Sequence, residues 1–142
     1  MMNKFNLVYF VIVLLFVFSA CKEENEVSIN ITSKAWNLAL TDKNSSSNPS
    51  GQIFYYAVLD CEKDDSYSFG TDGKLTINRG TIKCNNAELS TEIVNYTYSS
   101  TTKELIIKGV KYIVVDESAV QLKYYTVIPS NAGQSNLVYL FE

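Results

Sequence analysis

From residue 35 onward apolar and polar side chains alternate with a period of two, the spacing of strands with one buried face. In Ala35 to Thr41, Trp36, Leu38 and Leu40 fall on one side. Tyr67 and Phe69 alternate with serines, Asp72-Gly73 marks a tight turn, and Leu75 and Ile77 alternate with Thr76 and Asn78. That combination predicts a β-hairpin. Val94, Tyr96 and Tyr98 make a third face, and Leu105 and Ile107 a fourth. Gly109 separates these from the run Val110 to Val115. Val120, Leu122 and Tyr124 line one side of a strand that Pro129 stops, and Leu137, Tyr139 and Phe141 close the chain. Ile53 to Asp60 suits a buried strand or a short helix equally. Asp42 to Gly51 (DKNSSSNPSG) is a loop by composition.

About eight short strands rich in Tyr, Phe, Val, Ile and Thr, joined by hairpin-length links, predict an all-β domain. A chain of this length suits one domain with a real core. The expected architecture is a small antiparallel up-and-down barrel or a sandwich.

The N-terminus follows a different rule. Lys4 precedes an apolar run from Phe5 to Ala20, shorter than a membrane-spanning helix needs but ordered like a secretory signal. Phe18-Ser19-Ala20-Cys21 resembles the lipobox of bacterial lipoproteins, with Phe18 where leucine is usual. The resemblance implies a signal peptide over 1–20, lipidation of Cys21 and a mature protein tethered outside the cytoplasm. Lys22-Glu23-Glu24 resembles the export tag of surface-exposed lipoproteins in Bacteroidota, which implies outer-membrane anchoring with cell-surface display. A periplasm-facing address is the alternative. Residues 21–33 read as lipidated cysteine and flexible tether, with Val27, Ile29 and Ile31 alternating so that its end could add an edge strand. Ten such residues, extended, would lift the domain ~33 Å from the lipid.

The net charge of −3 grows by one negative unit when Lys4 leaves with the signal, and Arg79 is the sole arginine. This is no electrostatic footprint for nucleic acid, and there is no polybasic patch for anionic lipid. With Cys21 taken by lipid, Cys61 and Cys84 remain, an even pair that reads as a disulfide in an oxidising compartment.

Trp36, Cys61-Glu62-Lys63-Asp64-Asp65, Tyr67-Ser68-Phe69, Asp72-Gly73 and Lys83-Cys84 together resemble the lipocalin-like domain of Bacteroidota lipoproteins. The resemblance runs from about Lys34 to Phe141 and implies a barrel over 34–142 that holds a small hydrophobic or amphipathic ligand. Lys34-Ala35-Trp36 departs from the Gly-x-Trp of lipocalins, and no arginine near the C-terminus is placed to pack on the tryptophan.

The chain contains no histidine, which removes imidazole as base, metal ligand and pH switch. No phosphate loop, zinc spacing or dinucleotide fingerprint is present. We therefore expect no enzyme, no catalytic residue, no resident metal and no cofactor. Asp60, Glu62, Asp64 and Asp65 could offer oxygens to calcium, but Lys63 interrupts them and the spacing is not that of an EF-hand. The other reading is a solvated turn. The aromatics are the remaining feature, with ten tyrosines and seven phenylalanines. A tyrosine-rich barrel lining offers apolar faces with hydroxyls at the rim. The candidate lining is Tyr67, Phe69, Tyr96, Tyr98, Leu122 and Tyr124. If these rings simply fill the core, the alternative is an interaction module for an unidentified partner in the cell envelope.

The lipobox reading makes a direct prediction. Cells fed a labelled fatty acid should incorporate label into this protein, and Cys21→Ala should abolish it. Label persisting in the variant would end the lipoprotein reading.

Overall fold

The structure, a computed structural model, describes residues 30–129 and 135–142. The signal, Cys21 and the tether as far as residue 29 lie outside the described residues. Among the described residues one curled sheet holds nine strands: β1 (Trp36–Asn37), β2 (Gln52–Tyr55), β3 (Ser66–Phe69), β4 (Lys74–Asn78), β5 (Thr91–Ser99), β6 (Glu104–Ile107), β7 (Val110–Glu117), β8 (Leu122–Ile128) and β9 (Ser135–Phe141). Their order is β1-β3-β4-β5-β6-β7-β8-β9-β2. From β3 to β9 each strand pairs antiparallel with the next, as expected for a small up-and-down barrel.

The turns explain the registers. Gly73 sits at φ 76° and closes the β3–β4 hairpin, where Gly70 N–H bonds the Lys74 carbonyl. Lys108 and Gly109 both have positive φ, the requirement of a type I′ turn, and they join Ile107 to its partner Val110. A bulge between Val114 and Asp116 flips the face of β7. It turns Glu117 to the side of Tyr98, whose hydroxyl donates to it at 2.6 Å.

Residues 36–39 close the curl. Trp36 and Asn37 pair with β3, while Asn37 exchanges backbone bonds with Glu142 at 3.0 and 2.9 Å. Leu38 bridges Phe141, and Ala39 N–H bonds the Leu140 carbonyl. The chain then turns back along the same edge of β9, so β2 pairs with β9 in parallel. The ambiguous segment 53–60 thus begins as a strand, and a 3-10 turn follows at Asp60–Glu62.

Inside lie Trp36, Leu38, Phe69, Leu75, Ile77, Tyr96, Leu105, Val114, Leu122, Tyr124 and Phe141. Ile31, assigned by sequence to the tether, is fully buried with them, and its carbonyl accepts the Trp36 indole N–H at 2.8 Å. The Lys34 ammonium lies 4.4 Å from the Trp36 ring centre, a cation on the face of the indole. Two expected inward residues face solvent. Leu40 is 72% exposed because pairing stops after Ala39, and Val120 lies in the turn before β8.

A second, smaller cluster of Ala39, Val138 and Leu140, backed by Ile53 and Tyr125, lies on the outer face of β8 and β9. Residues 40–51 strap over that face, and the serine-rich loop is part of it. Lys123, on β8, is fully buried beneath the strap. Its ammonium donates to the Asn44 carbonyl, Ser47 Oγ at 3.1 Å and Asn48 Oδ1 at 2.9 Å, and pairs with Asp42 at 2.7 Å. Gln121 adds bonds to Lys43 N–H and the Thr41 carbonyl. One buried cation thus holds a strap with little apolar surface of its own. Lys123→Met would remove the cation from the strap and leave the partly exposed Asp42 with only Asn44 N–H and Tyr55 Oη as donors, lowering stability in urea unfolding by roughly 1–3 kcal/mol. The double change Lys123→Met with Asp42→Asn should recover part of that loss.

Candidate functional site at the loop end of the barrel

The barrel has two ends. The β3–β4 hairpin, Gly70 to Gly73, marks one, and at the opposite ends of those strands Asp65 and Arg79 begin the long links. We call the second the loop end.

Five tyrosines from different elements converge toward it. Tyr56 follows β2, Tyr67 comes from β3, Tyr112 from β7, Tyr124 from β8 and Tyr139 from β9. Tyr56 stacks on Tyr139 at 4.8 Å, and Tyr139 on Tyr124 at 5.4 Å. Tyr112 meets Tyr124 and Tyr139 edge-on at 5.1 and 5.8 Å. Phe141 touches both Tyr67 and Tyr124 at 5.2 Å. Tyr124 is buried, and the other four tyrosines are partly exposed. Such offset and edge-to-face pairs each add ~0.5–1.5 kcal/mol beyond area burial.

The hydroxyls divide into two kinds. Tyr56 Oη donates to Glu62 at 2.8 Å, and the same carboxylate accepts Leu59 N–H at 3.0 Å. Tyr112, Tyr124 and Tyr139 make no hydroxyl bond to protein among the described residues. Burial raises the pKa of every one of these phenols. Tyr67 is pushed up to about 12 by burial and by the nearby Asp65 carboxylate. All five therefore stay protonated at neutral pH.

A rigid frame surrounds them. Arg79 binds Asp65 at 2.6 Å, Glu92 at 3.1 Å and Glu88 at 3.4 Å. Burial works against its charge, but the Asp65 bond outweighs that and holds the guanidinium protonated. With three carboxylates around it, Arg79 is not free for an anionic ligand. Asp65 is 1% exposed and also accepts Gly80 N–H at 3.0 Å. Asp64 accepts Thr81 N–H at 2.6 Å and its hydroxyl at 2.9 Å. A Cβ at Gly80 would lie 1.9 Å from the Asp64 carboxyl, so any larger residue there would push Asp64 off Thr81. Cys61 and Cys84 form the expected disulfide beside this clamp, joining positions 23 apart in sequence.

The acidic cluster is thus divided among structural tasks. Asp60 pairs with Lys63 in solvent, Glu62 anchors Tyr56, and Asp64 and Asp65 clamp the 79–82 turn. The solvated-turn reading fails for Asp65, which the arginine draws into the protein.

The six candidate lining residues all belong to the main core cluster or pack against it, at different places along the barrel. Phe69 and Tyr96 meet at 5.0 Å inside the barrel, and Tyr96 Oη donates to the Gly70 carbonyl. Tyr98 is tied to Glu117, and Leu122 is fully buried. Only Tyr67 and Tyr124 belong to the tyrosine group. Tyr56, Tyr112 and Glu62 were not among the candidates. Tyr56 lay in the ambiguous segment, and Tyr112 in the unbroken run 110–115 where alternation is hidden. Tyr139 was legible as the middle of an alternating face.

Comparison with protein-family models, curated proteins and solved structures finds no match for this chain.

The carboxylate clamps predict an acid limb. Asp64 is held below the usual carboxyl range by Thr81 N–H, Asp42 by Lys123 against its own burial, and Glu92 by Lys108. A carboxyl depressed in the fold stabilises it above the unfolded value, and that contribution fades as pH falls toward the folded value. The melting temperature should be level from about pH 8 to pH 5, because no histidine titrates there, and should fall below about pH 4. Asp64→Asn should lower the neutral plateau and shallow the acid limb. A steady decline beginning near pH 7 would contradict this assignment.

Proposed function

We propose that this chain is a lipid-anchored outer-membrane protein, displayed at the cell surface, whose lipocalin-like barrel binds a small amphipathic molecule at its loop end. One observation carries the binding: four partly exposed tyrosines meet there, and two of them, Tyr112 and Tyr139, have hydroxyls without protein partners among the described residues. Apolar ring faces with unengaged hydroxyls suit a ligand that has both an apolar plane and polar groups. Phe141, Tyr124 and Trp36 fill the space behind, so the ligand rests on the tyrosines near the rim instead of entering deeply. Attachment through Cys21 and export on Lys22-Glu23-Glu24 follow from the lipoprotein resemblance. The chemistry asked of the site is recognition. Its phenols are neutral and its arginine is committed.

A filled interior also supports a second reading, an interaction module of the cell envelope with no small ligand. One experiment separates the two. Thermal unfolding of the mature chain is followed with long-chain fatty acids, sterol-like amphipaths and aryl glycosides as probes. A probe at a hundredfold excess over its dissociation constant should stabilise the fold by ~2.7 kcal/mol. Tyr112→Ala with Tyr139→Ala should erase the shift, while Tyr98→Phe at the hairpin end should keep it. If no probe raises the melting temperature, the interaction module takes its place.

A further inference from the structure

Lys123 meets more than an ion-pair partner beneath the strap. Its fully buried ammonium pairs with Asp42 Oδ1 at 2.7 Å and donates to the side-chain amide oxygen of Asn48 at 2.9 Å. The amide nitrogen carries the contact further. Asn48 Nδ2 donates to Tyr55 Oη at 3.0 Å, and Tyr55 Oη donates to Asp42 Oδ2 at 2.9 Å. Amine, carboxylate, phenol and carboxamide thus close one circuit, in the order Lys123, Asp42, Tyr55, Asn48.

Each member has the chemistry that amide exchange needs. A protonated amine is no nucleophile, and Asp42 is in contact to take one of its protons. Burial keeps water away from the amine, which removes the competing nucleophile. The carbon to be attacked lies one C=O bond, ~1.2 Å, beyond the oxygen that Nζ already touches. Reacting groups held at such range behave as one molecule, which removes much of the entropic barrier. Asn48 also precedes Pro49. An asparagine ordinarily loses ammonia by attack of the next backbone nitrogen, and proline has no N–H with which to do so. That route is shut, and the Lys123 amine is the nucleophile in place.

We propose that Lys123 and Asn48 condense into an amide cross-link, with Asp42 and Tyr55 as the proton carriers. Asp42 takes a proton from Nζ, and the freed electron pair forms the Nζ–Cγ bond of the new amide. The Cγ–Nδ2 bond breaks, and its electron pair stays on the departing nitrogen. Nζ gives up a second proton along the same path. Both protons pass from Asp42 through Tyr55 Oη to Nδ2, which leaves as ammonium, and Asp42 ends as the carboxylate it was. No oxidant, metal or second substrate enters. The ion-paired arrangement is the chain before the bond forms. In the product the strap is tied to β8 across 75 positions of sequence, and the cover over Val138 and Leu140 becomes covalent. Asp42 keeps Asn44 N–H and Tyr55 Oη as donors. The inference depends on neither the ligand nor the lipid anchor.

The test is a tryptic digest of the full chain isolated from cells that express it, reduced and alkylated. Trypsin does not cut after an acylated lysine, so residues 44–63 and 112–142 should appear as one branched peptide. Its mass should be the sum of the two less one ammonia, with fragments that place the branch at Asn48 and Lys123. At equal times after synthesis, Asp42→Asn and Tyr55→Phe should each lower the rate of branching roughly tenfold or more. Tyr55 is half-exposed, so its loss of one hydroxyl separates proton transfer from folding. Asn48→Ala should abolish the branch. Separate peptides with Asn48 and Lys123 both unmodified in the parent chain would overturn the proposal. A branch joining residues 35–43 to 112–142 with loss of water would do the same, since Asp42 would then be the acyl partner. Branching at the parent rate in Tyr55→Phe would refute the phenol's part.

Discussion

Four consecutive residues, Trp36 to Ala39, meet β3 on one side and β9 on the other, and the barrel depends on that double service. Without them β3 and the part of β9 beyond the β2 pairing would present unpaired backbone groups, the arrangement that recruits foreign strands. The closure is short, with two residues on β3 and three on β9, so ladder bonds alone hold it weakly. The indole supplies the rest. Trp36 is fully buried, its N–H satisfied by Ile31 and its face covered by Lys34, whose ammonium also donates to the Ala119 carbonyl. A large apolar body with its one polar atom paired can sit in the core without desolvation cost. The seam is therefore held from inside the barrel and from the β7–β8 turn together.

Away from the seam, buried ions take over where apolar surface runs out. Lys123 is fully removed from water and Arg79 largely so, and each would be costly to bury alone. Each meets acceptors drawn from a segment distant in sequence, the strap for Lys123 and the Asp65, Glu88 and Glu92 carboxylates for Arg79. Asp116 stands across the ladder from Lys123, yet its Oδ2 finds no partner among the described residues while the ammonium turns to the strap. The strap offers three further acceptors beside its carboxylate, and a lone carboxylate oxygen cannot match that set. These pairs act as registry. They fix which loop covers which face, a task that interchangeable apolar contacts do poorly.

The strands were legible because one face of each is buried and the other is not. Tyr67 with Phe69, Leu75 with Ile77, and Tyr96 with Tyr98 all appear as sequence alternation and as shared faces. Legibility failed where that contrast vanished. β9 is buried on both faces, since the strap covers Val138 and Leu140, so its outer residues gave no sign of a second core. Lys123 and Asn136 read as solvent-facing polar positions, and only a loop distant in sequence shows that they are interior. The aromatic site was half legible. Alternation says which tyrosines point inward but not which strand ends meet in space. Strand tilt and the β7 bulge set that, and neither leaves a pattern in one strand's residues.

The two ends of the barrel are held by different physics, and that difference bears on where recognition can occur. At the hairpin end a three-residue turn and short links leave little chain to rearrange. At the loop end the links are long, and long links ordinarily lose conformational freedom when a ligand binds. Here they are pinned beforehand by the disulfide, by Asp64 and Asp65 on the 79–82 turn, and by Glu62 on Tyr56 and Leu59. In the chain-entropy model the disulfide alone contributes roughly 3 kcal/mol by restricting the unfolded chain. Ordering that is already complete in the free protein is not subtracted from affinity when a ligand arrives. The stacked tyrosines add stiffness of the same kind, because each has only two torsions to fix and neighbours already fix them. The loop end thus combines partly exposed ring surface with a frame that need not move, so ordering would cost little if a molecule docked there.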